Sequence, residues 1–219
     1  MKFTLDITSC QAFMTKNLSA AMGISGCQNQ YVLSHISPIE RRRLDQGAKA
    51  IFTLIDDCHS PIVFSSFQGE VNRCFKMYES LKQERLISPT VFSLSVLNAM
   101  PALCAILFKN PKEILAISQK MSLEYGLLNA YLLLEERKEK ECLVIAYSEV
   151  ENFVSPESLA VIAMRVKRGS EVELGLLGEE TTGQTSPHGS LVTFLQNYGT
   201  KNQWLSHGGG EQWGWNVLS

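Results

Sequence analysis

Residues 88–149 hold apolar runs of two distinct lengths, and few folds accommodate that pattern. Ser88-Pro89 opens a helix, and Pro101 is expected to kink or end its first half. Ile114–Ile117 is an apolar run of strand length. Ser122 is placed to cap a following helix that brings Leu123, Gly126, Leu127, Ala130 and Leu134 near one face. Gly126 allows that helix close packing. Residues 142–147 are apolar and carry Val and Ile, as a strand buried on both faces should. Strands and helices in this alternation predict an α/β fold, a mixed β-sheet layered with helices.

The flanking chain extends this pattern. Phe3, Leu5 and Ile7 alternate with Thr4, Asp6 and Thr8, which predicts a first strand over 2–13. Residues 14–31 read as a loop or short helix. Ser37-Pro38-Ile39-Glu40 is a capping box with Pro at the first helical position. The helix it starts is expected to carry Leu44, Ala48, Ile51, Phe52 and Ile55. A strand over 61–66 and a helix over 69–84 follow, with Val71, Phe75, Tyr78 and Leu81 on one side. The charge run over 135–141 is a solvated helix end. Residues 152–157 read as a loop. Apolar segments at 159–166 and 172–177 flank Lys167-Arg168-Gly169-Ser170, which predicts an antiparallel hairpin. Residues 178–189 read as a mobile connection, and 191–195 as a short helix. Trp204, Trp213 and Trp215 are the three Trp of the chain. They make a Trp-rich tail from about residue 200, of the kind that docks on a core or a partner.

Composition narrows the function. A length of 219 residues fits one domain over 1–219. With 45% hydrophobic residues and a net charge of −2, the chain lacks a nucleic-acid footprint. The window 91–108 is near membrane-span length, but Ser93, Ser95, Asn98 and Pro101 make it a buried core segment. No signal-peptide apolar region follows Met1, so the expected setting is cytoplasmic. The six Cys (Cys10, Cys27, Cys58, Cys74, Cys104 and Cys142) are scattered, with no C-x-x-C, and read as packed thiols rather than metal ligands. His207-Gly208-Gly209-Gly210 resembles a lipase oxyanion loop, but no G-x-S-x-G accompanies it and it lies far along the chain. Neither phosphate-binding glycine pattern occurs, and no cofactor is expected.

Pro89-Thr90-Val91-Phe92, Ser95-Val96-Leu97-Asn98-Ala99 and the strand–turn–helix from Ile117 to Ala130 resemble the core of the β-ketoacyl synthases. The small ketosynthase-like chain length factors are the most similar group. The resemblance implies a thiolase-like half fold. In the active enzymes the turn before the second helix carries a nucleophilic Cys, and here that position falls on Met121. A thioether forms no thioester, so no catalytic residue is expected. The two catalytic His of the family belong to a second half, and His35, His59, His188 and His207 lie in none of its motifs. Phe67 takes the position that gates the acyl tunnel. Glu70 and Cys74, further along that helix, are implied to line the tunnel with Val91, Phe92 and Met121. Glu70 is an ionisable group that an apolar wall tolerates only when paired. Family dimers pair the strand before the nucleophile turn, here Ile114, Leu115, Ala116 and Ile117, while Val91, Phe92, Leu94 and Asn98 pack nearby. Arg41, Arg42 and Arg43 are either a solvated basic face or a contact for an acyl carrier protein or the partner subunit.

The function these residues imply is a non-catalytic subunit. It forms a heterodimer with an active β-ketoacyl synthase and shapes its acyl tunnel, in type II, fatty-acid-synthesis-like or aryl polyene chain elongation. Two other readings stand beside it. Ser122 could serve an independent acyl hydrolase or transferase, with His59 or His188 as the nearest thing to a base. The chain could also be a homodimeric binding module.

Overall fold

The computed structural model describes residues 1–150, 158–179 and 188–218, apart from the side chains of Glu84 and Thr90. The loop expected over 152–157 and most of the connection expected over 178–189 lie outside the described residues.

The strands β1 (Lys2–Met14), β2 (Ile62–Ser66), β3 (Ile114–Ile117), β4 (Cys142–Glu149), β5 (Leu159–Arg168), β6 (Val172–Glu179), β7 (Gln203–Gly208) and β8 (Glu211–Val217) form one sheet. Its order is β3-β2-β4-β5-β1-β6-β8-β7. β2 is parallel to both β3 and β4, and every other pairing is antiparallel. The helices are α1 (Lys16–Met22), α2 (Pro38–Arg41), α3 (Gln46–Leu54), α4 (Val71–Glu84), α5 (Pro89–Ser93), α6 (Ala99–Leu107), α7 (Ser122–Arg137) and α8 (Gly189–Asn197). Among the described residues, no helix is long and apolar enough to cross a membrane.

The two-residue period of the central strands makes two cores. Cys142, Val144 and Ala146 of β4 point to one face, where they meet α1, α7, α8 and the three Trp. Leu143, Ile145 and Tyr147 point to the other, against α3 and α6. A strand apolar at every position can only be satisfied between two such layers. At Gly126 an added Cβ would come within 3.1 Å of Val144 Cγ1, so the missing side chain sets how closely α7 lies on the sheet.

Local structure departs from the sequence reading in five places. The capping box at Ser37 and Glu40 is present, but its helix stops at Arg41. Asp45 then starts α3 afresh, its carboxylate accepting from the Ala48 N–H at 2.8 Å. Asp at this position out-competes helix continuation because it satisfies an orphan donor. The second departure is at Pro101. The break falls before it, over residues 94–98, and Pro101 sits in the first turn of α6, where a missing N–H costs nothing.

The third concerns Ser122, which does not cap α7. Met121 holds the cap position without a side-chain bond, and the Leu123 N–H is satisfied from α8 by Ser190 Oγ at 3.1 Å. Fourth, β5 and β6 are not a hairpin: β1 lies between them and pairs with both. The chain crosses β1 at Gly169, where a Cβ would sit 1.8 Å from the Asp6 carboxylate. Asp6 Oδ1 accepts from the Ser170 and Glu171 N–H groups at 2.8 and 3.0 Å and holds that crossing. Fifth, the Trp-rich segment, expected to dock on a core or a partner, packs into this chain's own core as strands of the sheet. It forms β7 and β8, with Trp213 and Trp215 fully buried and Trp204 stacked on Trp215 at 5.2 Å.

Candidate functional site

The parallel strands β2 and β3 end together, with Ser65 opposite Ile117. Ligand sites of α/β sheets form at such strand ends. Here the chain turns through Ser118, Gln119 and Lys120 into Met121 at the start of α7. Met121 is 2% exposed and forms the floor of a cleft of about 270 Å³. Phe67, Tyr125, Gly208, Gly209 and Glu211 complete its walls. Ser118 Oγ donates to the Phe67 carbonyl at 3.0 Å and ties the two strand-end turns together. Lys120 Nζ lies over the Phe67 ring, 5.6 Å from its centroid. Tyr125 donates to Glu211 Oε1 at 2.8 Å and anchors the β7–β8 turn.

The structure thus brings together Phe67 and Met121, two residues singled out from sequence. It also brings in Gly208 and Gly209. Their distance along the chain had counted against them, but the β7–β8 turn folds back over the start of α7. Among the described residues, no His lines this cleft. Ser122 is 2% exposed and does not line it either. His59 lies in a separate cleft with Arg165, and His35 stacks on Phe108. Among the described residues that line the cleft there is no thiol and no imidazole.

Beneath it lies a polar network that sequence reasoning missed. Glu124, one turn into α7, is fully buried. It accepts from Ser206 Oγ at 2.6 Å, from Trp215 Nε1 at 3.2 Å, and from Ser190 Oγ. Burial raises the Glu124 pKa against the lowering effect of these donors. The network clamps α7, α8, β7 and β8 to one another, and so holds the Gly208–Gly209 turn over Met121. The available sequence signal was a lone carboxylate inside Leu123-Glu124-Tyr125-Gly126-Leu127-Leu128, on a helix buried nearly all round.

Glu70 and Cys74 are not in the Met121 cleft. Glu70 is the residue before α4, and its side chain is buried against Arg73 Nε at 3.2 Å. Arg73 also pairs with Asp45. Glu149 at the end of β4 accepts from Asn72 N and Nδ2 at 3.1 and 3.0 Å. These groups line a second cleft of about 350 Å³ together with Lys76 and Val91. Cys74 is exposed, and its Sγ donates to the Ser95 carbonyl at 3.6 Å.

The segment from β2 to β3 also carries an apolar surface. Phe75, Tyr78 and Leu81 on α4, Phe92 on α5, Val96, and Ile106 on α6 are each at least 36% exposed. The strand β3, against which α6 packs, is the sheet edge, with Ile114, Leu115, Ala116 and Ile117 all half-buried. Leu94 is half-buried and Asn98 exposed in the turn between α5 and α6. An edge strand and an aromatic strip of this kind mark an interaction surface. Of the three arginines, Arg42 and Arg43 are exposed, whereas Arg41 Nε donates to the Ile36 carbonyl at 2.7 Å.

His188, just ahead of α8, is 3% exposed and its Nε2 lies 2.8 Å from Ser158 Oγ. Burial lowers its pKa to about 4. The unfolded chain binds this proton below about pH 6.5 and the folded one only near pH 4, so the His188 contribution to stability is lost as pH falls through that window. Relative to His188→Gln, the wild type should lose up to about 1.4 kcal/mol per pH unit between those values. Urea unfolding of both proteins at pH 7 and pH 4.5 checks this. Parallel losses would refute it.

Comparison with known families gives a match to the family described as β-ketoacyl synthase, N-terminal domain, over residues 16–216. Among solved structures, a chain of the ketosynthase (ApeO) in complex with its chain length factor (ApeC) from Xenorhabdus doucetiae superposes with a TM-score of 0.76. The match covers 98% of this chain and 99% of that one at 22% identity. The ishigamide ketosynthase/chain length factor gives a TM-score of 0.61 at 9% identity, over 81% of this chain and 68% of its own. A type II acyl-carrier protein complex with its ketosynthase, AntDE:AntF, gives 0.53 at 13% identity, over 83% and 70%. At these identities the likeness is one of fold, and the fold is thiolase-like. A comparison with the curated proteins gave no match.

Proposed function

The chain belongs to the β-ketoacyl synthase N-terminal domain family, and from that we propose that it is a chain length factor. It docks on an active β-ketoacyl synthase, supplies no catalytic group itself, and closes the far end of the partner's acyl tunnel. The observation that carries this reading is the set of exposed apolar side chains Phe75, Tyr78, Leu81, Phe92, Val96 and Ile106 on the segment that leads into the edge strand β3. An apolar surface of this kind needs a cover, and an antiparallel strand from a similar subunit would extend the sheet. The solved complexes of similar fold pair a ketosynthase with a chain length factor, which supports the same assignment.

Met121 fits the role. At a helix start a Cys would be activated by backbone N–H groups, whereas a thioether is inert and fills the pocket. In this reading Phe67 and Met121 bound the tunnel, and Val91, Phe92, Leu94, Asn98 and Ile114–Ile117 meet the partner. Arg42 and Arg43 face solvent as a contact for the carrier protein. The setting proposed is type II, aryl polyene-like elongation of a carrier-bound chain in the cytoplasm.

The test is co-expression with the β-ketoacyl synthase encoded beside this chain, one subunit tagged, followed by sizing. A stable one-to-one complex is expected. A lone chain that ignores the ketosynthase would overturn the reading. Met121→Cys provides a second check. Since no His lines the cleft among the described residues, the purified variant should show no condensation of acyl and malonyl groups above background. Turnover by this variant alone would mean that the chain carries its own catalytic base.

A further inference from the structure

Two thiols of this chain share a cleft. Among the described residues Cys58, Cys104 and Cys142 are buried, and Cys74 is exposed on α4. Cys10 on β1 and Cys27 beyond α1 are both half-buried. They line a cleft of about 510 Å³ together with Ile24, Gln28, Phe194 and Tyr198. Among the described residues, no charged side chain lines it.

The backbone sets how near the two thiols stand. The Gln28 N–H donates to the Ala12 carbonyl, and the Gln28 carbonyl accepts from the Met14 N–H, each at 2.9 Å. Gln28 thus lies opposite Phe13, and Cys27 beside Ala12. Cys10 is one pleat back from Ala12, on the same face of β1. Cys10, Ala12 and Cys27 all pack against the core that holds α8. Diagonal neighbours of this kind stand about 7–8 Å apart, and somewhat closer between Cβ atoms. A disulfide needs about 4.4–6.8 Å between Cα atoms. A shift of about 1 Å closes the difference, and the fold leaves room for it. β6 pairs with β1 only over Lys2–Leu5, so among the described residues that edge of β1 carries no strand from Asp6 to Gln11. Gly26, at φ +88° with nothing within 4 Å of an added Cβ, is the turn on which Cys27 moves.

We propose that Cys10 and Cys27 are an oxidisable pair that hydrogen peroxide closes to a disulfide. One sulfur takes an oxygen from the peroxide and releases water. The other displaces a second water from that sulfenic acid, and the S–S bond forms. Two thiols and one peroxide therefore give one disulfide and two waters. Burial pushes the Cys10 thiol up to about 12, with Cys27 adding to the rise, and burial raises Cys27 as well. Both are protonated at pH 7.5, so closure is slow and the pair answers sustained rather than brief exposure. The disulfide is uncharged and suits the apolar walls. It staples the turn after α1 to β1 and closes the loop between them. The inference is independent of the subunit reading above.

The test exposes the chain alone to hydrogen peroxide at pH 7.5, blocks free thiols with iodoacetamide and digests with trypsin without reductant. Cleavage after Lys2, Lys16 and Arg41 places Cys10 in peptide 3–16 and Cys27 in peptide 17–41. The two should appear joined, two hydrogens lighter than their sum, and dithiothreitol should part them. The oxidised chain should melt about 5–10 °C higher, and dithiothreitol should restore the lower midpoint. Cys27→Ser should show neither change and Cys74→Ser both. Circular dichroism checks the fold of reduced Cys27→Ser, and Cys10→Ser repeats the test from the other side of the cleft. No joined peptide, joining only in urea, or a rise that Cys27→Ser and Cys10→Ser retain would overturn the proposal.

Discussion

Phe92→Asp should abolish co-purification with the ketosynthase and leave the chain itself folded. Phe92 is 58% exposed on α5, so the substitution removes no core contact of this chain. In the complex the ring would be covered, and an aspartate there would be desolvated without a partner. Truncating a central aromatic anchor costs at least about 2 kcal/mol, or some 30-fold in affinity, and an added buried charge costs more. A loss of two to three orders of magnitude is expected. Ile39→Asp is the control, since Ile39 is 69% exposed but belongs to α2, outside the segment from β2 to β3 that carries the strip. Circular dichroism reports the fold and pull-down at graded concentrations reports the affinity. If both variants bind alike, the strip is not the interface.

The largest effect on stability is expected from Glu124→Ala. The change strips an acceptor from Ser190, Ser206 and Trp215 at once, inside a site that water does not reach. Each stranded donor costs about 1–3 kcal/mol, but Trp215 Nε1 keeps its bond to Ser206 Oγ at 3.0 Å, which offsets part of the loss. A destabilisation of about 3–5 kcal/mol follows, equivalent to a midpoint lower by roughly 10 °C for a chain of this size. Glu124→Gln keeps an acceptor and should cost less than half as much. Thermal unfolding of the three proteins decides it. Equal midpoints would mean that the network is incidental to the packing of α7 on α8 and β8.

The sheet was legible wherever one short segment carried its own period. The strand at Ile114–Ile117, the doubly apolar β4 and the helix around Gly126 need no distant information, because their side-chain pattern matches only one secondary structure buried in one way. The crossing at Gly169 was misread for the opposite reason. Two apolar runs around a short polar turn satisfy the hairpin pattern locally, and nothing within them announces that β1, at the other end of the chain, inserts between them.

The candidate site divides along the same line. Met121 was within reach of sequence reasoning because it stands between a short apolar strand and the helix that follows it. Glu124 was not, since its three donors lie 66, 82 and 91 positions further along the chain. Glu70 shows both sides. Its pairing with Arg73, three residues on, is within the reach of sequence reasoning, but its approach to Asp45 and Glu149 exists only in the folded chain.

By itself the sequence determined the layered α/β class, the thioether of Met121 between a short apolar strand and a helix, and the apolar character of the segment from Phe67 to Ile117. Each follows from residue type and short-range spacing. The tertiary structure alone decided three further things: that Gly208 and Gly209 close over Met121, that Asp45 and Glu149 approach Glu70, and that Phe75, Tyr78 and Phe92 stay at the surface. The physical reason is that convergence and exposure belong to pairs of segments. A helix with an apolar face predicts that the face will be covered, but whether this chain or another supplies the cover depends on where every other element has already packed.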